Sequence, residues 1–181
     1  MIPDWNHALN RDRYLDLRDT YTALVGADER WRSGEHDWLQ PHVLHLSRYI
    51  VIRSAGFLES TRDTAASQFV ASVAPAEVVR RVDDALGRGQ GAAPKQLSDF
   101  LRTFSPSWAT LLDEAFDARD GELRSRVGAL IAARKKVAHG EGDPVTLTRA
   151  LEGCEAAVTV ADWIVSHFTA LQMATTAPSA T

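Results

Sequence analysis

Residues 145–173, VTLTRALEGCEAAVTVADWIVSHFTALQM, decide the fold of this chain. Apolar residues recur there in alternating steps of four and three, which is the period of an α-helix. They are Leu147, Leu151, Cys154, Val158, Ala161, Val165 and Phe168. A second apolar row runs beside the first, at Ala150, Ala157, Ile164 and Leu171. The combined stripe is wide enough to bury against two or three other helices, as in a helical bundle.

The rest of the chain shows the same helical period. We predict helices over about 10–25, ending at Gly26, and from Pro41 to about Ala74. Shorter helices within 75–86 and 94–104 flank the glycine-rich stretch 87–94. A further helix is predicted to begin at Ser105 and Pro106 and to end at about Asp117. The next helix is predicted to begin at Asp120, to include residues 133–139 and to be broken by Gly140, Gly142 and Pro144. The last helix is predicted from Val145 to Met173.

No strand-like alternation interrupts these helices. We therefore predict an all-α fold, an antiparallel bundle of four to five long helices with shorter accessory helices. One domain is expected to span residues 1–181, with its core at about 11–172. The small polar residues at 174–181 are expected to form a flexible tail.

The composition limits the kind of protein this is. Of the 181 residues, 45% are hydrophobic and 24% are charged, as in ordinary globular proteins. The net charge of -4 argues against a protein that coats nucleic acid over its whole surface, although it allows a local basic site. Cys154 is the only cysteine, which excludes an intrachain disulfide and a thiolate zinc cluster. Because no apolar run approaches about 20 residues and no signal-peptide layout is present, we expect a cytoplasmic protein with no membrane partner.

Five basic residues and one acid lie between residues 121 and 140, so this segment is basic on an acidic chain. We call the five the basic island: Arg124, Arg126, Arg134, Lys135 and Lys136. One interpretation is structural, because cations in the last turn of a helix complement its dipole and contribute about 0.3–1 kcal/mol each. The other interpretation is functional, because a local cluster of cations binds anionic substrates. The sequence leaves both open.

Arg134 and His139 combine two residue types that suit phosphate chemistry. Arginine offers a fixed fork of donors, and histidine takes and gives a proton near neutral pH. Five residues of ideal helix separate the two side chains by about 140° around the axis. Gly140 lets the backbone turn out, which would free His139 to swing toward Arg134. For RNA these roles suffice without a metal, since a base deprotonates the 2′-OH, the oxygen attacks the adjacent phosphorus, and a cation stabilises the developing charge.

The segment from Arg134 to Gly140, RKKVAHG, resembles the R-x4–6-H motif of HEPN domains (higher eukaryotes and prokaryotes nucleotide-binding). In that superfamily the motif lies between the third and fourth long helices of an α-bundle, and here too it precedes the final helix. The segment 48–61, RYIVIRSAGFLEST, is similar to the RiboL-PSP-HEPN branch. The resemblance covers about residues 11–172.

The resemblance implies an activity and partners. Many HEPN domains are metal-independent endoribonucleases of toxin–antitoxin, anti-phage or RNA-processing systems, and they act as dimers whose Arg/His pairs face each other across a cleft. Arg134 would then bind and stabilise the scissile phosphate, and His139 would act as acid or base or position the 2′-OH. We expect no cofactor. The expected partners are RNA, a second copy of the chain, and an antitoxin or another defence-system protein.

Further phosphate contacts are expected from Lys136 and Arg126 of the basic island and from Arg53. A buried ion pair is the alternative role for Arg53. The position after the motif arginine is often Asn, Asp or His in the superfamily, and here Lys135 would add a phosphate contact instead. The alternative function, from a different class, is a non-catalytic HEPN module that binds nucleotide, RNA or a partner protein.

Three other features have two interpretations each. The spacing of His36, His42 and His45 could hold zinc, but ordinary surface or core histidines explain it as well. Gly56 lies inside a predicted helix, where glycine costs about 1 kcal/mol relative to alanine, so we expect another helix to approach it closely. The tryptophans could stack on bases or anchor the core and interfaces. They are Trp5, Trp31, Trp38, Trp108 and Trp163, the last being a candidate contact in a dimer formed through the last two helices.

Overall fold

The computed structural model describes residues 1–35, 39–87, 89, 91–140 and 145–176. Residues 174–176 are described by their backbone alone. This part of the chain forms six helices and no strand. They are α1 (Arg11–Arg32), α2 (Leu39–Val73), α3 (Ala76–Leu86), α4 (Pro94–Arg102), α5 (Pro106–Ala138) and α6 (Leu147–Thr176). Four helices have 22 to 35 residues, whereas α3 and α4 have 11 and 9. The prediction of an all-α bundle of long helices with shorter accessory helices is confirmed.

The first two long helices run antiparallel to each other. Asn10, just before α1, donates a hydrogen bond to the Thr61 hydroxyl of α2 at 3.2 Å. Asp16, further along α1, forms an ion pair with Arg53, which comes earlier in α2. Contacts with α2 therefore move toward its start as α1 advances.

Helix α6 supplies the centre of the core. Six residues of its predicted stripe are completely shielded from solvent: Ala150, Cys154, Ala157, Val158, Ala161 and Ile164. Gly153 lies against α5, where an added β-carbon would come within 3.1 Å of the Leu130 side chain, so glycine permits this close approach. Burial raises the pKa of the Cys154 thiol to about 12, in agreement with its predicted role as a small core residue.

Glu155 joins α6 to α1 at the edge of the core. Its Oε1 accepts hydrogen bonds from the Tyr21 hydroxyl and from the amino group of Met1, each at 2.7 Å. Burial alone would raise the pKa of Glu155, but the two hydrogen bonds outweigh burial and hold that pKa below its usual value. Burial, together with the same carboxylate, raises the pKa of the Tyr21 phenol.

The end of α1 differs from the sequence-based expectation. The helix continues through Gly26 to Arg32, and the chain turns at Gly34, whose φ is 76°. Asp28, in the extra turns, is buried and forms an ion pair with Arg32 at 2.7 Å. Because the packing of these turns outweighs the about 1 kcal/mol that glycine costs inside a helix, the predicted stop at Gly26 is wrong.

A kink divides α5 near the predicted helix junction. Ala118 has extended backbone, and Arg119, Asp120 and Gly121 follow with φ of 51°, 58° and 75°. The left-handed region is unfavourable for the two residues other than glycine. The predicted change of helix at Asp120 is therefore confirmed, and these four non-helical residues join the two halves.

The end of α5 is also close to the prediction. Gly140 adopts a φ of 70°, as expected of a glycine that ends a helix. The expected breaks at Gly142 and Pro144 lie outside the described residues. Helix α6 continues to Thr176, into the range 174–181 that was expected to be flexible, and residues 177–181 lie outside the described part.

Buried Arg62 is a feature of α2 that the sequence does not indicate. Its side chain is 1% exposed and forms an ion pair with Asp63 at 2.6 Å. The guanidinium also donates a hydrogen bond to the carbonyl of Gly91 and lies 5.0 Å from the ring centroid of Phe100. These contacts satisfy a buried charge and fix the segment before α4 against α2.

Candidate functional site

Arg134 lies near the end of α5, on the side that packs against α2. Its Nη1 donates a hydrogen bond to Oε1 of Glu59 at 3.1 Å. The Arg134 side chain is 41% exposed and that of Glu59 is 21% exposed, so the pair lies at the edge of the contact between the two helices. Because Glu59 engages one nitrogen of the guanidinium, the other N–H groups of Arg134 remain available to donate hydrogen bonds to a phosphate.

His139 is the exposed residue that caps the C-terminal end of α5. Its φ of -90° and ψ of 4° lie outside the helical region, but its N–H still donates to the carbonyl of Lys135 at 3.1 Å, as in a helical turn. The position of His139 on the helix is therefore about 140° around the axis from that of Arg134. No hydrogen bond joins His139 to Arg134 within the described part of the chain. Gly140 turns the backbone only after His139, so one protomer does not bring the two motif side chains into contact.

The two lysines of the motif have different surroundings. Lys135 is exposed, and no ion pair among the described residues engages it. Lys136 lines a cavity of about 160 Å³ between α2, α5 and α6, together with Arg149. The remaining lining is apolar: Val51, Ala129, Leu130, Ala132, Ala133 and Val145. Both lysines stay predictions as phosphate contacts.

The arginines in the first half of the basic island are engaged by carboxylates. Arg126 forms an ion pair with Glu122 at 2.6 Å and lies 3.6 Å from Glu152 of α6. Arg124 is held in the same way by two aspartates. Arg126 also precedes Arg134 by eight residues, or about 12 Å along the helix axis. The structure therefore does not bring Arg126 to the pair formed by Arg134 and Glu59.

Arg53 lies on the other side of α2, next to α1. It forms an ion pair with Asp16 of α1, and its guanidinium lies 5.8 Å from the ring centroid of Tyr49. The ion pair agrees with the structural interpretation of Arg53. Its side chain is also 34% exposed, so contact with a phosphate stays a prediction.

Gly56 does not have the role expected from the sequence. An added β-carbon would meet nothing within 4 Å, so no helix among the described residues approaches it closely. The expectation of a close helix contact is wrong. Gly56 instead lies in a surface depression of about 250 Å³, whose other lining residues are Arg13, Ile52, Arg53 and Phe57.

The described residues offer no group of three or more His, Cys, Asp or Glu side chains that could hold a metal ion. His42 and His45 are exposed on the first turns of α2, and His36 lies outside the described residues. Among the described residues, no third ligand therefore supports a zinc site at His42 and His45.

The tryptophans mostly pack against the core. Trp5 is buried, and its Nε1 donates to the carbonyl of Leu9 at 2.9 Å. Trp163 is half-buried and stacks on His167, with ring centroids 3.6 Å apart. Trp31 and Trp108 are also half-buried, and Trp38 lies outside the described residues.

Three residues on or beside the exposed surface of α2 are not identified from the sequence. Glu59 contacts Arg134 across 75 positions of sequence, so no local pattern reveals the pair. Tyr49 is 46% exposed on α2, and Arg13 reaches the depression at Gly56 from α1. Helical spacing places Tyr49, Gly56 and Glu59 on one side of α2. The position of Arg13 next to Gly56, in contrast, depends on how α1 packs against α2.

Comparisons of the chain with protein-family models, curated proteins and solved structures find no match. Among the described residues, no helix has both the length and the apolar character that crossing a membrane requires. The contacts and exposures of the site are therefore the basis for a proposal about function.

Proposed function

We propose that this chain is a metal-independent endoribonuclease of the HEPN type, acting as the toxin or effector of a toxin–antitoxin or anti-phage system. One observation carries the proposal: a partly exposed arginine, anchored through a single nitrogen to Glu59, precedes an exposed histidine by five residues at the end of a long helix. Arginine and histidine are residue types suited to cleavage of RNA by its own 2′-OH.

The chain has a group suited to each part of the reaction. Arg134 binds the nonbridging phosphate oxygens and stabilises the charge that builds up on them. A base removes the 2′-OH proton, the oxygen bonds to phosphorus, and the bond from phosphorus to the 5′-oxygen breaks. An acid then protonates that 5′-oxygen. His139 is suited to either proton transfer, and the products carry a 2′,3′-cyclic phosphate and a 5′-OH.

A second copy of the chain would supply the other titrating group. In one protomer His139 lies away from Arg134, and one histidine cannot be base and acid in the same step. A two-fold dimer is the commonest way for identical chains to associate. With the motifs of two protomers facing across a cleft, one His139 acts as base, the other acts as acid, and Arg134 holds the phosphate between them.

Cleavage of an end-labelled RNA by the purified chain tests the proposal. We expect cleavage that persists in EDTA and leaves 2′,3′-cyclic phosphate and 5′-OH ends. Arg134→Ala and His139→Ala should each reduce the rate by at least about a hundredfold, with little change in thermal melting because neither side chain is in the core. Arg102→Ala is the matched control, since Arg102 is also exposed and paired with a carboxylate, but on α4. Loss of activity on chelation, or undiminished cleavage by both variants, would contradict this mechanism.

A non-catalytic HEPN module that binds nucleotide, RNA or a partner protein is the second candidate. It is supported by the pairing of Arg134 with Glu59 and by the position of His139 around the helix from Arg134, because one protomer lacks an assembled base, cation and acid. RNA binding that depends on Arg134 but is accompanied by no cleavage would favour this function.

A further inference from the structure

One side of α2 faces solvent between α1 and α5. Tyr49, Ile52, Gly56 and Glu59 follow one another at intervals of three and four, so they share this side. We call these four residues the α2 face. Tyr49 is 46% exposed and Ile52 is 41% exposed, which is unusual for large side chains in the middle of a long helix.

Arginines lie along both edges of the α2 face. On the α1 edge, Arg53 lies beside the Tyr49 ring, and Arg13 lines the depression at Gly56. On the α5 edge, Arg134 is bonded to Glu59. Arg48 adjoins Tyr49 on α2 itself. The face thus combines an exposed aromatic ring with cations on two sides.

Two of these cations are not held in an ion pair by any described carboxylate. No ion pair among the described residues engages Arg13 or Arg48, and Arg13 is exposed. The two carboxylates at the edges, Asp16 and Glu59, are each bonded to an arginine. The local charge is therefore complementary to phosphates, on a chain whose net charge is -4.

The glycine at position 56 keeps the depression open. A β-carbon there would point into open space, and a longer side chain would fill the space next to Arg13. Glycine inside a helix costs about 1 kcal/mol relative to alanine, and no close helix contact compensates for it within the described chain. Access to the depression is a role that accounts for the glycine.

We propose that the α2 face binds a single-stranded segment of RNA and leads it to Arg134. Tyr49 stacks on an unpaired base, and Arg13 contacts a phosphate in the depression at Gly56. From Tyr49 to Glu59 the helix rises about 15 Å, which is enough for a short stretch of extended strand. This inference rests on the proposed function, because it names the form of RNA that reaches the same arginine.

The proposed ligand is single-stranded RNA because Tyr49 can stack only on an unpaired base. A base inside a duplex is stacked on its neighbours and does not offer its face to a protein ring, whereas an unpaired base does. Stacking on an aromatic side chain tolerates any base, since every base has a π-face. Recognition on the α2 face is therefore expected to depend on strand state more than on sequence.

Binding is best measured in a chain that does not cut its ligand. His139→Ala serves as the parent, and its affinity for a fluorescein-labelled single-stranded oligoadenylate is followed by anisotropy. Tyr49→Ala should weaken binding by about fivefold to a hundredfold, the usual effect of losing one stacked base, whereas Tyr49→Phe should bind like the parent. An unlabelled duplex of the same length should compete poorly.

Two further variants test the depression and the charge. Gly56→Leu should weaken binding without unfolding the chain, because the added side chain meets no protein atom nearby. Gly26→Leu on α1 is its matched control, since that glycine also lies inside a helix with open space around it. Arg13→Gln should lower the slope of log affinity against log salt by about 0.7. Leu111→Ala, at an exposed apolar residue of α5, controls for the loss of surface area in Tyr49→Ala.

Each outcome either supports the α2 face or overturns it. Parent-like affinity in both Tyr49→Ala and Gly56→Leu overturns it, even if the wild-type chain cleaves RNA. Variants that dissociate a dimer without changing RNA affinity also overturn it and make the face an interface between copies. If the wild-type chain neither binds nor cleaves RNA, the proposed function fails together with this inference.

Discussion

Arg134 of α5 is held by Glu59 of α2, with Nη1 3.1 Å from Oε1, although the two residues are 75 positions apart in the sequence. The arginine of the proposed site thus has a built-in carboxylate partner. Such a partner orients the guanidinium, but its negative charge also opposes the approach of a phosphate. Since a partly exposed ion pair contributes only about 0–1 kcal/mol to stability, its effect on binding is the more informative one to measure.

Glu59→Gln should strengthen RNA binding. Glutamine keeps an oxygen acceptor for Arg134 but removes the charge that repels phosphate, and we expect affinity to rise about threefold to tenfold, on the order of 1 kcal/mol. The free energy of unfolding should change by less than about 1 kcal/mol. Anisotropy and urea denaturation measure the two quantities. Glu122→Gln is the control, because Glu122 also pairs with an arginine of α5. Weaker binding by Glu59→Gln would show that orientation of Arg134 outweighs repulsion.

Replacing both Lys135 and Lys136 with glutamine should weaken RNA binding and flatten its salt dependence. Each phosphate contact on a single strand contributes about 0.7 to the slope of log affinity against log salt, so the double variant should lose about 1.4. The control is Lys95→Gln, since Lys95 is the one other lysine of the chain and lies on α4. An unchanged slope in the double variant would leave the two lysines with the structural role of complementing the helix dipole.

Mixed dimers should reveal whether two protomers share one site. When wild-type and His139→Ala chains are combined, each heterodimer keeps one histidine. If one His139 is the base and the other is the acid for the same bond, heterodimers should have much less than half the activity of the wild-type dimer. Tagged copies purified in tandem allow the heterodimer to be assayed alone. Full activity in an isolated monomer would exclude the shared site.

Tyr21→Phe should destabilise the fold near neutral pH and much less in acid. The variant removes a hydrogen bond to a carboxylate, for which we expect a loss of about 1.5–3 kcal/mol in the free energy of unfolding. The pKa of Glu155 is held below its usual value in the folded chain. The ionised carboxylate therefore stabilises the fold fully at pH values above the unfolded-state pKa of about 4.3, and this stabilisation is lost as the pH falls through the lower folded pKa. Urea denaturation at pH 7 and at acidic pH compares the two chains. A difference that stayed constant across this range would exclude the assigned role of Glu155.

Local pattern was a reliable guide where burial follows the helical period. The stripe at Ala150, Ala157 and Ile164 is completely buried, and the change of helix at Asp120 appears as a kink in the backbone. The two wrong expectations both concern glycines inside helices. Gly26 continues a helix whose next turn is held by the buried Asp28, which pairs with Arg32, and Gly56 faces open space instead of a neighbouring helix.

The sequence by itself determined the all-α fold, the buried stripe of α6 and the end of α5 at Gly140, because each depends on residues a few positions apart. Only the tertiary structure decided which charges meet. It pairs Arg134 with Glu59, Arg53 with Asp16 and Arg126 with Glu152, and it leaves Lys135 and Arg13 without a carboxylate among the described residues. These ion pairs join different helices, and helical periodicity fixes which side of a helix a residue occupies but not which helix packs against that side.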